Sequence, residues 1–418
     1  MSLLPVDEAL SRVLASVAGP VDPEAVPISA CAGRTLAADL SAIRDQPPFA
    51  SSAMDGYAVR LEDVSRTPAS LRVIGASVAG RAFAGTLGAG EAVRIFTGAP
   101  IPPGANAVVI QEDTESDQGR VLVKERLRPN QFVRPAGLDF RSGDPLLRAG
   151  QRLDARCLAL AAAMGHGTLS MRRRPRVAIL ATGDELVQPG DEPRPDQIVA
   201  SNPYAIAAMV EKAGGESVDL GLAADALEAL EERVLAAEKA RADVLVTLGG
   251  ASVGEHDLVR SALARRGMEL GFWRVALRPG KPLIHGRLGA MLLLGLPGNP
   301  VSSVVCALLF LIPAVRALLG DPAAASDPTE TGLLGADLSA NDARQDYVRA
   351  ALTGKEILVD TPGGRQPLWV PLATPHARQD SSMLALLARS EALIVRAPAA
   401  PAARAGEICR FIRLERFC

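Results

Sequence analysis

Asp243-Val-Leu-Val-Thr-Leu-Gly-Gly-Ala-Ser-Val-Gly-Glu-His-Asp257 decides how the rest of the chain is read. Its first part is a short, β-branched apolar run, the pattern of a buried strand. Glycines 249, 250 and 254 interrupt the chain before a helical pattern opens at His256-Asp-Leu-Val-Arg-Ser-Ala-Leu. Glycine at a strand-to-helix turn tolerates positive φ and lets bare backbone N–H groups approach a ligand. With Ser252 as an extra donor and Asp257 near the helix start, the loop suits an anion that carries a metal. It equally suits a tight turn that needs glycine only for its shape.

Working outward, strands and helices alternate from Val177 to Leu319. Strands are predicted at Val177–Ala181, Glu216–Leu220, Asp243–Leu248, Phe272–Leu277 and Ala290–Gly295. Helices are predicted at Pro203–Ala213, Ala226–Ala240, Asp257–Arg265 and Pro300–Leu319. That alternation means a doubly wound, mostly parallel α/β sheet, with ligands at the strand C-termini where the order reverses. The distinctive loops all follow strand ends: Thr182-Gly-Asp-Glu-Leu, the Gly249 loop, Arg278-Pro-Gly-Lys-Pro and Leu296-Pro-Gly-Asn-Pro. Four such loops at one sheet edge favour a site over unrelated turns. Asn202-Pro203, Asn299-Pro300 and the Asp225/Glu228 pair also read as helix caps. The two readings are compatible, because a capped helix start still attracts phosphate. Lys281 stands out in an arginine-rich chain, since a compact point charge in a glycine-proline loop serves an oxyanion.

Before this region, Val6 to Val17 has helical spacing, Val26–Ile28 looks like a strand, and a helix start is expected near Cys31–Ala37. Asp55-Gly56 is a hairpin-turn signal, and the alternative makes Asp55 a carboxylate presented on a turn beside Ser51 and Ser52. Short β-like runs from Leu71 to Glu125, separated by glycine and proline, predict a small β domain. Thr97 and Asp139 fall on its turns. Asp154 is a candidate N-cap for a helix to Met164, expected to pack back on the N-terminal helix and make the first domain discontinuous. Arg172-Arg-Arg-Pro-Arg176 reads as a solvated boundary. After Gly320 a linker leads to a small β-rich terminal domain, with Ser381 opening a short serine-capped helix. The expected domains are therefore 1–46 with 147–175, an insert 47–146, an α/β domain 176–322 and a terminal domain 323–418.

Composition sets bounds on partners. The 418 residues are 48% apolar and only 3% aromatic, so the cores are aliphatic. A net charge of -2 calls for neither nucleic acid nor an anionic membrane. Five scattered cysteines without C-x-x-C point to free thiols in a reducing cytoplasm, and the isolated histidines have no zinc spacing. The start lacks the pattern of a signal peptide. Val301–Leu319 is apolar, but its serines, Pro313 and Arg316 favour a buried helix over a membrane span.

With these loops in hand, the whole chain resembles the molybdopterin molybdenumtransferase (MoeA) family, which is related to the C-terminal domain of gephyrin. The carrying motifs are P-P-F-A-S-S-A-M-D-G-Y-A-V from Pro47, F-T-G-A-P-I-P-P-G-A-N-A-V-V from Phe96 and R-P-A-G-L-D-F-R-S-G-D from Arg134. They continue with T-G-D-E-L from Thr182, G-G-A-S-V-G-E-H-D from Gly249, R-P-G-K-P from Arg278 and G-L-P-G-N-P-V-S from Gly295. Each is modestly specific, and all of them in this order are very specific. The resemblance implies a discontinuous helical first domain, an inserted β domain, an α/β molybdopterin-binding domain and a C-terminal β barrel. It further implies a homodimer, with the site between one subunit's α/β domain and the other's N-terminal region.

The implied activity takes adenylylated molybdopterin and molybdate, releases AMP and leaves molybdenum on the pterin, with Mg²⁺ assisting. Carried over residue by residue, Asp55, Thr97, Asp139, Glu185, Asp225 and Asp257 are the catalytic group, with Asp225 and Asp257 as metal ligands. Thr182, Gly249, Gly250, Ser252, Gly254, Pro297, Gly298 and Asn299 would cradle the phosphate-bearing pterin. Arg278, Lys281, Ser302, Arg349 and Ser381 would hold molybdate. The pattern departs from the family at Arg278, where many relatives have lysine, at Ala251, and in His376–Asp380 and Ser390-Glu391. A molybdopterin adenylyltransferase uses a similar α/β domain but needs neither the Met54-Asp-Gly-Tyr57 region nor the terminal domain. A non-catalytic molybdopterin carrier or scaffold gains nothing from clustered acids beside Lys281. A molybdopterin adenylyltransferase and recipient molybdoenzymes are the further partners this reading allows.

Overall fold

The computed structural model describes residues 3–249, 258–361 and 364–418. The chain forms two compact units, one of Met1–Glu24, Gly33–Ala37 and Ser170–Cys418, the other of Ala25–Ala32 and Ala38–Leu169.

The larger unit is built on β1 (Arg176–Thr182), β2 (Glu216–Ala223), β3 (Val244–Leu248), β4 (Glu269–Arg274), β5 (Pro282–Leu288) and β6 (Met291–Leu296). Their order is β2-β1-β3-β6-β5-β4. The first four pair in parallel, and β5 and β4 close the sheet antiparallel. Side chains on a strand alternate between faces. Accordingly Val177, Ile179 and Ala181 enter one core, and Ala178 and Leu180 the other. The first core also takes α1 (Asn202–Ala213), through Ile206, Met209 and Val210, and the N-terminal helix Val6–Ala15, through Val6, Ala9 and Val13. The second takes α2 (Leu227–Lys239) and α3 (Leu258–Arg265). Helices on both faces of a mostly parallel sheet are what the alternation predicts. β5 is absent from the sequence reading, because Pro279, Pro282 and Gly286 look like loop punctuation. Proline at a strand's first residue costs the ladder little. Gly286 is needed there, because a Cβ would lie 2.8 Å from the Glu269 carbonyl oxygen.

Running under the sheet, α4 (Pro300–Leu318) is long and apolar enough to cross a membrane, yet most of it is buried inside the protein. An all-round apolar helix of that kind is a core helix. A π-turn at Ala307–Leu311 precedes Pro313, whose ring and missing N–H break the usual ladder to Leu309.

The N-terminal helix docks through a buried histidine. His285 on β5 stacks on Phe272 with ring centroids 4.9 Å apart, and its Nε2 lies 2.7 Å from the Ser16 hydroxyl. Among the described residues its Nδ1 is buried without a partner. Burial first, then the Arg12 charge, lowers its pKa from 6.5 to about 4. The unfolded chain therefore binds more protons than the folded one between those values. The His285 contribution to stability is complete above pH 6.5, is lost as pH drops toward 4, and does not change further below. The expected loss is on the order of 3 kcal/mol. Thermal melts of the protein and of His285→Gln across that window check it; parallel curves would refute the assignment.

Beyond α4 the strands Glu330–Leu334, Gln345–Thr361, Gly364–Pro375, Ala392–Arg396 and Ile408–Arg413 pair in a ring that closes between Gln345–Thr361 and Ala392–Arg396. Leu277–Arg278 joins this sheet parallel to Gln345–Asp346. The short helix Leu384–Ala388 has Met383 at its N-cap and no side-chain cap bond, so the serine cap expected near Ser381 is not formed.

In the smaller unit the sheet runs Ala107–Ile110, Gly56–Val59, Glu91–Ile95, Ala69–Ser77, Arg120–Val123, Thr114–Asp117. Asp55-Gly56 is thus the entry to an interior strand and not a hairpin turn. Cys31–Ala37 forms no helix; a 3-10 turn at Ile28–Ala30 stands just before it. Asp154 does cap the helix Ala155–Ala163, accepting the Cys157 N–H at 2.9 Å. That helix packs in a small cluster with Ala42, Phe140 and Met164, while the N-terminal helix spends its apolar stripe on the α/β core. The predicted pairing of the two helices is therefore replaced.

Candidate active site

Parallel strands β1 and β3 are neighbours, and the chain leaves β1 toward β2 on one side and reaches β3 on the other. This is the switch point at which open α/β sheets bind ligands. A cleft of about 450 Å³ opens there, lined by Thr182, Glu185, Asn202, Asp225, Gly249 and Asn299 among others. Gly249 has φ +93, and a Cβ on it would sit 2.5 Å from the Thr182 carbonyl oxygen. Gly298 faces it, with its own Cβ position 3.7 Å from the Gly249 Cα. The two loops meet glycine to glycine, so backbone groups form that wall. Residues Gly250, Ser252, Gly254 and Asp257 lie outside the described residues.

The asparagines that read as caps do other work. Asn299 occupies the N-cap position of α4 without a side-chain cap bond, and its Nδ2 donates to the Ser381 hydroxyl at 3.1 Å. Asn202 lies inside α1, and its Nδ2 donates to the Gly298 carbonyl at 2.6 Å and the Ser303 hydroxyl at 3.3 Å. Ser303 in turn donates to the Pro297 carbonyl. The Pro297–Asn299 loop is thereby pinned from both sides. Asp225 caps nothing either; Ala226 is the N-cap of α2 and makes no side-chain cap bond.

Among the described residues the Asp225 carboxylate takes no hydrogen bond, and it lines the cleft. Partial desolvation, then the charges of Asp184 and Glu185, raise its pKa above the ordinary carboxylate value. Asp184 Oδ1 also accepts the Asp225 N–H at 3.1 Å, tying the loop after β1 to the loop after β2. The sequence reading singles out Glu185 in this loop and misses Asp184, although both stand in the same quoted motif. Thr182 is buried, and its hydroxyl has no partner among the described residues.

The residues assigned to molybdate divide in two. Arg349 is buried and donates to the Asp380 carbonyl at 2.8 Å, the Met383 carbonyl at 3.1 Å and Gln379, holding the loop that carries Ser381 against Asn299. Desolvation lowers its pKa. Ser302 is buried in the first turns of α4, and Lys281 is exposed beside Pro282 of the cleft. Arg278 forks onto Asp346 and also reaches Asp342 and Asn341.

In the smaller unit Asp55 Oδ1 accepts both the Thr97 N–H at 2.7 Å and the Thr97 hydroxyl at 2.8 Å. The Thr97 N–H first, then its hydroxyl, hold the Asp55 carboxyl below its ordinary value. Exposed Asp139 lies on a stretch laid antiparallel to the same segment, with Val133 opposite Ser52 and Phe140 opposite Gln46. Asp55, Thr97 and Asp139 thus share one scaffold.

Two family models cover most of the chain: the MoeA N-terminal region (domain I and II) matches residues 4–165, and a probable molybdopterin binding domain matches residues 178–317. The chain is 36% identical over 348 residues to the molybdopterin molybdenumtransferase of Haemophilus influenzae, covering 83% of this chain and 85% of that one. The chain belongs to the molybdopterin molybdenumtransferase family. It is accordingly a transferase of molybdenum cofactor biosynthesis. Molybdopterin molybdenumtransferase 2 of Mycobacterium tuberculosis is 35% identical over 385 residues, covering 90% of this chain and 93% of that one. The crystal structure of a molybdopterin biosynthesis MoeA protein from Pyrococcus horikosii superposes with TM-score 0.82 at 30% identity, over 99% of both chains.

Proposed function

We propose that this protein inserts molybdenum from molybdate into adenylylated molybdopterin and releases AMP. The observation that carries the reading is Asp225: a carboxylate with a raised pKa, unused as a cap, in a glycine-walled cleft at the sheet's switch point. Family membership points to the substrates, and this reading seats them in the glycine-walled cleft. Backbone groups at Gly249 and Gly298 let a phosphate-bearing pterin approach closely. Asn202 and Asn299 hold that wall still. The Arg349-supported loop presents Ser381 next to Asn299, where an oxyanion can be gripped beside the pterin.

The acids at the cleft suit Mg²⁺. Asp184 and Glu185 both raise Asp225, so this corner carries negative charge that a cation relieves. Among the described residues no group of three or more ligating side chains gathers. Mg²⁺ prefers one or two carboxylates plus phosphate oxygens, so Asp225 with Asp257 is a sufficient protein contribution. When bound it neutralises charge on the phosphoanhydride and on the departing AMP. In the same reading the chain works in the cytoplasm as a homodimer, with Asp55, Thr97 and Asp139 completing the site from the partner subunit. Its closed ring of terminal strands is the C-terminal barrel.

The test is AMP release by the purified protein given adenylylated molybdopterin, Mg²⁺ and molybdate. Release that depends on molybdate supports insertion. ATP consumption with bare molybdopterin, or binding without turnover, would overturn it.

A further inference from the structure

The run Arg172–Arg176 is not a solvated linker. Arg172 ends the strand Thr168–Arg172 and donates to the Val21 carbonyl at 2.9 Å and the Ala37 carbonyl at 3.4 Å. Arg173 forks onto Asp243 at 2.8 and 2.7 Å. Next to them opens a depression of about 460 Å³ lined by Arg34, Arg173, Arg174, Arg176 and Arg241, with Asp22, Glu24 and Glu216. It lies at the N-terminal edge of the sheet, where β1 and β2 begin and α2 hands over to β3. The molybdopterin cleft is at the opposite edge, one seven-residue strand away, or about 20 Å.

The carboxylates here do not neutralise the guanidinium groups evenly. Glu24 pairs with Arg34, Glu216 with Arg176 at 3.4 Å, and Asp243 with Arg173, which also feels the charge of Asp22. Arg174 has only the Gly215 carbonyl, at 3.4 Å, and neither it nor Arg241 has a carboxylate partner among the described residues. Arg241 has φ +53, the left-handed backbone just past the end of α2, and its N–H bonds the Glu238 carbonyl. Glycine is the residue that suits this place. The chain keeps an arginine there despite the strain. Among the described residues no aromatic ring lines the depression, so none there would stack a nucleobase. Guanidinium groups grip phosphate oxygens through paired N–H donors.

We propose that this depression is a second binding site, taking a small phosphate-type oxyanion on Arg174, Arg241 and Arg176. An anion there ties together the starts of two strands, the end of α2 and Arg34, and so stiffens the pole remote from the cleft. The inference is independent of the proposed reaction.

Inorganic pyrophosphate is the probe, titrated calorimetrically into the full chain at ionic strength matched with sodium chloride. Matching removes generic charge screening as a cause. Arg241→Gly relieves the backbone, so its melting temperature without anion should equal or exceed that of the natural chain. Its pyrophosphate affinity, and that of Arg174→Gln, should fall by 10-fold or more. Molybdate-dependent AMP release without pyrophosphate should be unchanged in both. No pyrophosphate binding by the natural chain at millimolar concentration overturns the site. Equal affinity in both variants also overturns it, by placing the anion elsewhere.

Discussion

Asp225→Asn is expected to reduce AMP release by about 100-fold or more while the melting temperature stays level or rises. Both halves come from the same environment. The carboxylate is held close to Asp184 and Glu185 with its pKa raised, so its negative charge is disfavoured in the folded protein. An amide of the same shape removes that repulsion, and functional charges of this kind are commonly held at a cost in stability. The backbone N–H of Asp225 still reaches Asp184, so the loop keeps its path. A melting temperature several degrees lower would mean the side chain props up the fold. Unimpaired AMP release would mean it has no part in the chemistry.

The same groups set an acid limb. A raised pKa means Asp225 takes its proton at higher pH than an ordinary aspartate, so activity that needs the ionised form fades early on acidification. Asp184→Asn removes one of the charges that raise it, and the limb of kcat/KM moves to lower pH. Desolvation is the larger cause and remains, so the shift is partial. A limb that does not move separates Asp184 from Asp225.

Why some of this was legible and some was not comes down to what a linear pattern can encode. β1, β3 and β6 announce themselves because short apolar runs bounded by turn residues suit a strand buried on both faces. β5 hides because it begins at Pro282 and carries Gly286, both read locally as loop. The cleft loops are legible because glycine and proline mark them. Their cross-bonds are not: Asp184 meets the Asp225 N–H only because β1 and β2 lie side by side, and Asn202 meets Gly298 across 96 positions. Local rules gave Asp225, Asn202 and Asn299 plausible roles as caps; tertiary partners take the two asparagine side chains, and at Asp225 the helix starts one residue later, with Ala226 at the N-cap.

Asp55-Gly56 holds the other large effect. Gly56→Ala is expected to cost more than about 3 kcal/mol and to lower the melting temperature of the smaller unit by on the order of 10 °C. A Cβ at Gly56 would stand 1.8 Å from the Val109 carbonyl oxygen and 2.9 Å from its carbon. Both atoms are backbone of the neighbouring strand, so no rotamer change can make room. Moving that strand pulls apart the ladder in which Gly56 faces Ile110 on one side and Ile95 on the other. Because Asp55 precedes the clash directly, its two bonds from Thr97 are displaced as well, and AMP release falls with stability. Gly98→Ala is the control. Its φ of +80 disfavours a side chain, but nothing lies within 4 Å of the new Cβ, so the cost is about 1 kcal/mol. Calorimetry on the two variants decides between a turn glycine and a packing glycine. Similar losses would restore the hairpin-turn reading of Asp55-Gly56, whereas a loss several times larger at Gly56 shows that the interior strand, and the carboxylate at its mouth, depend on one missing methyl group.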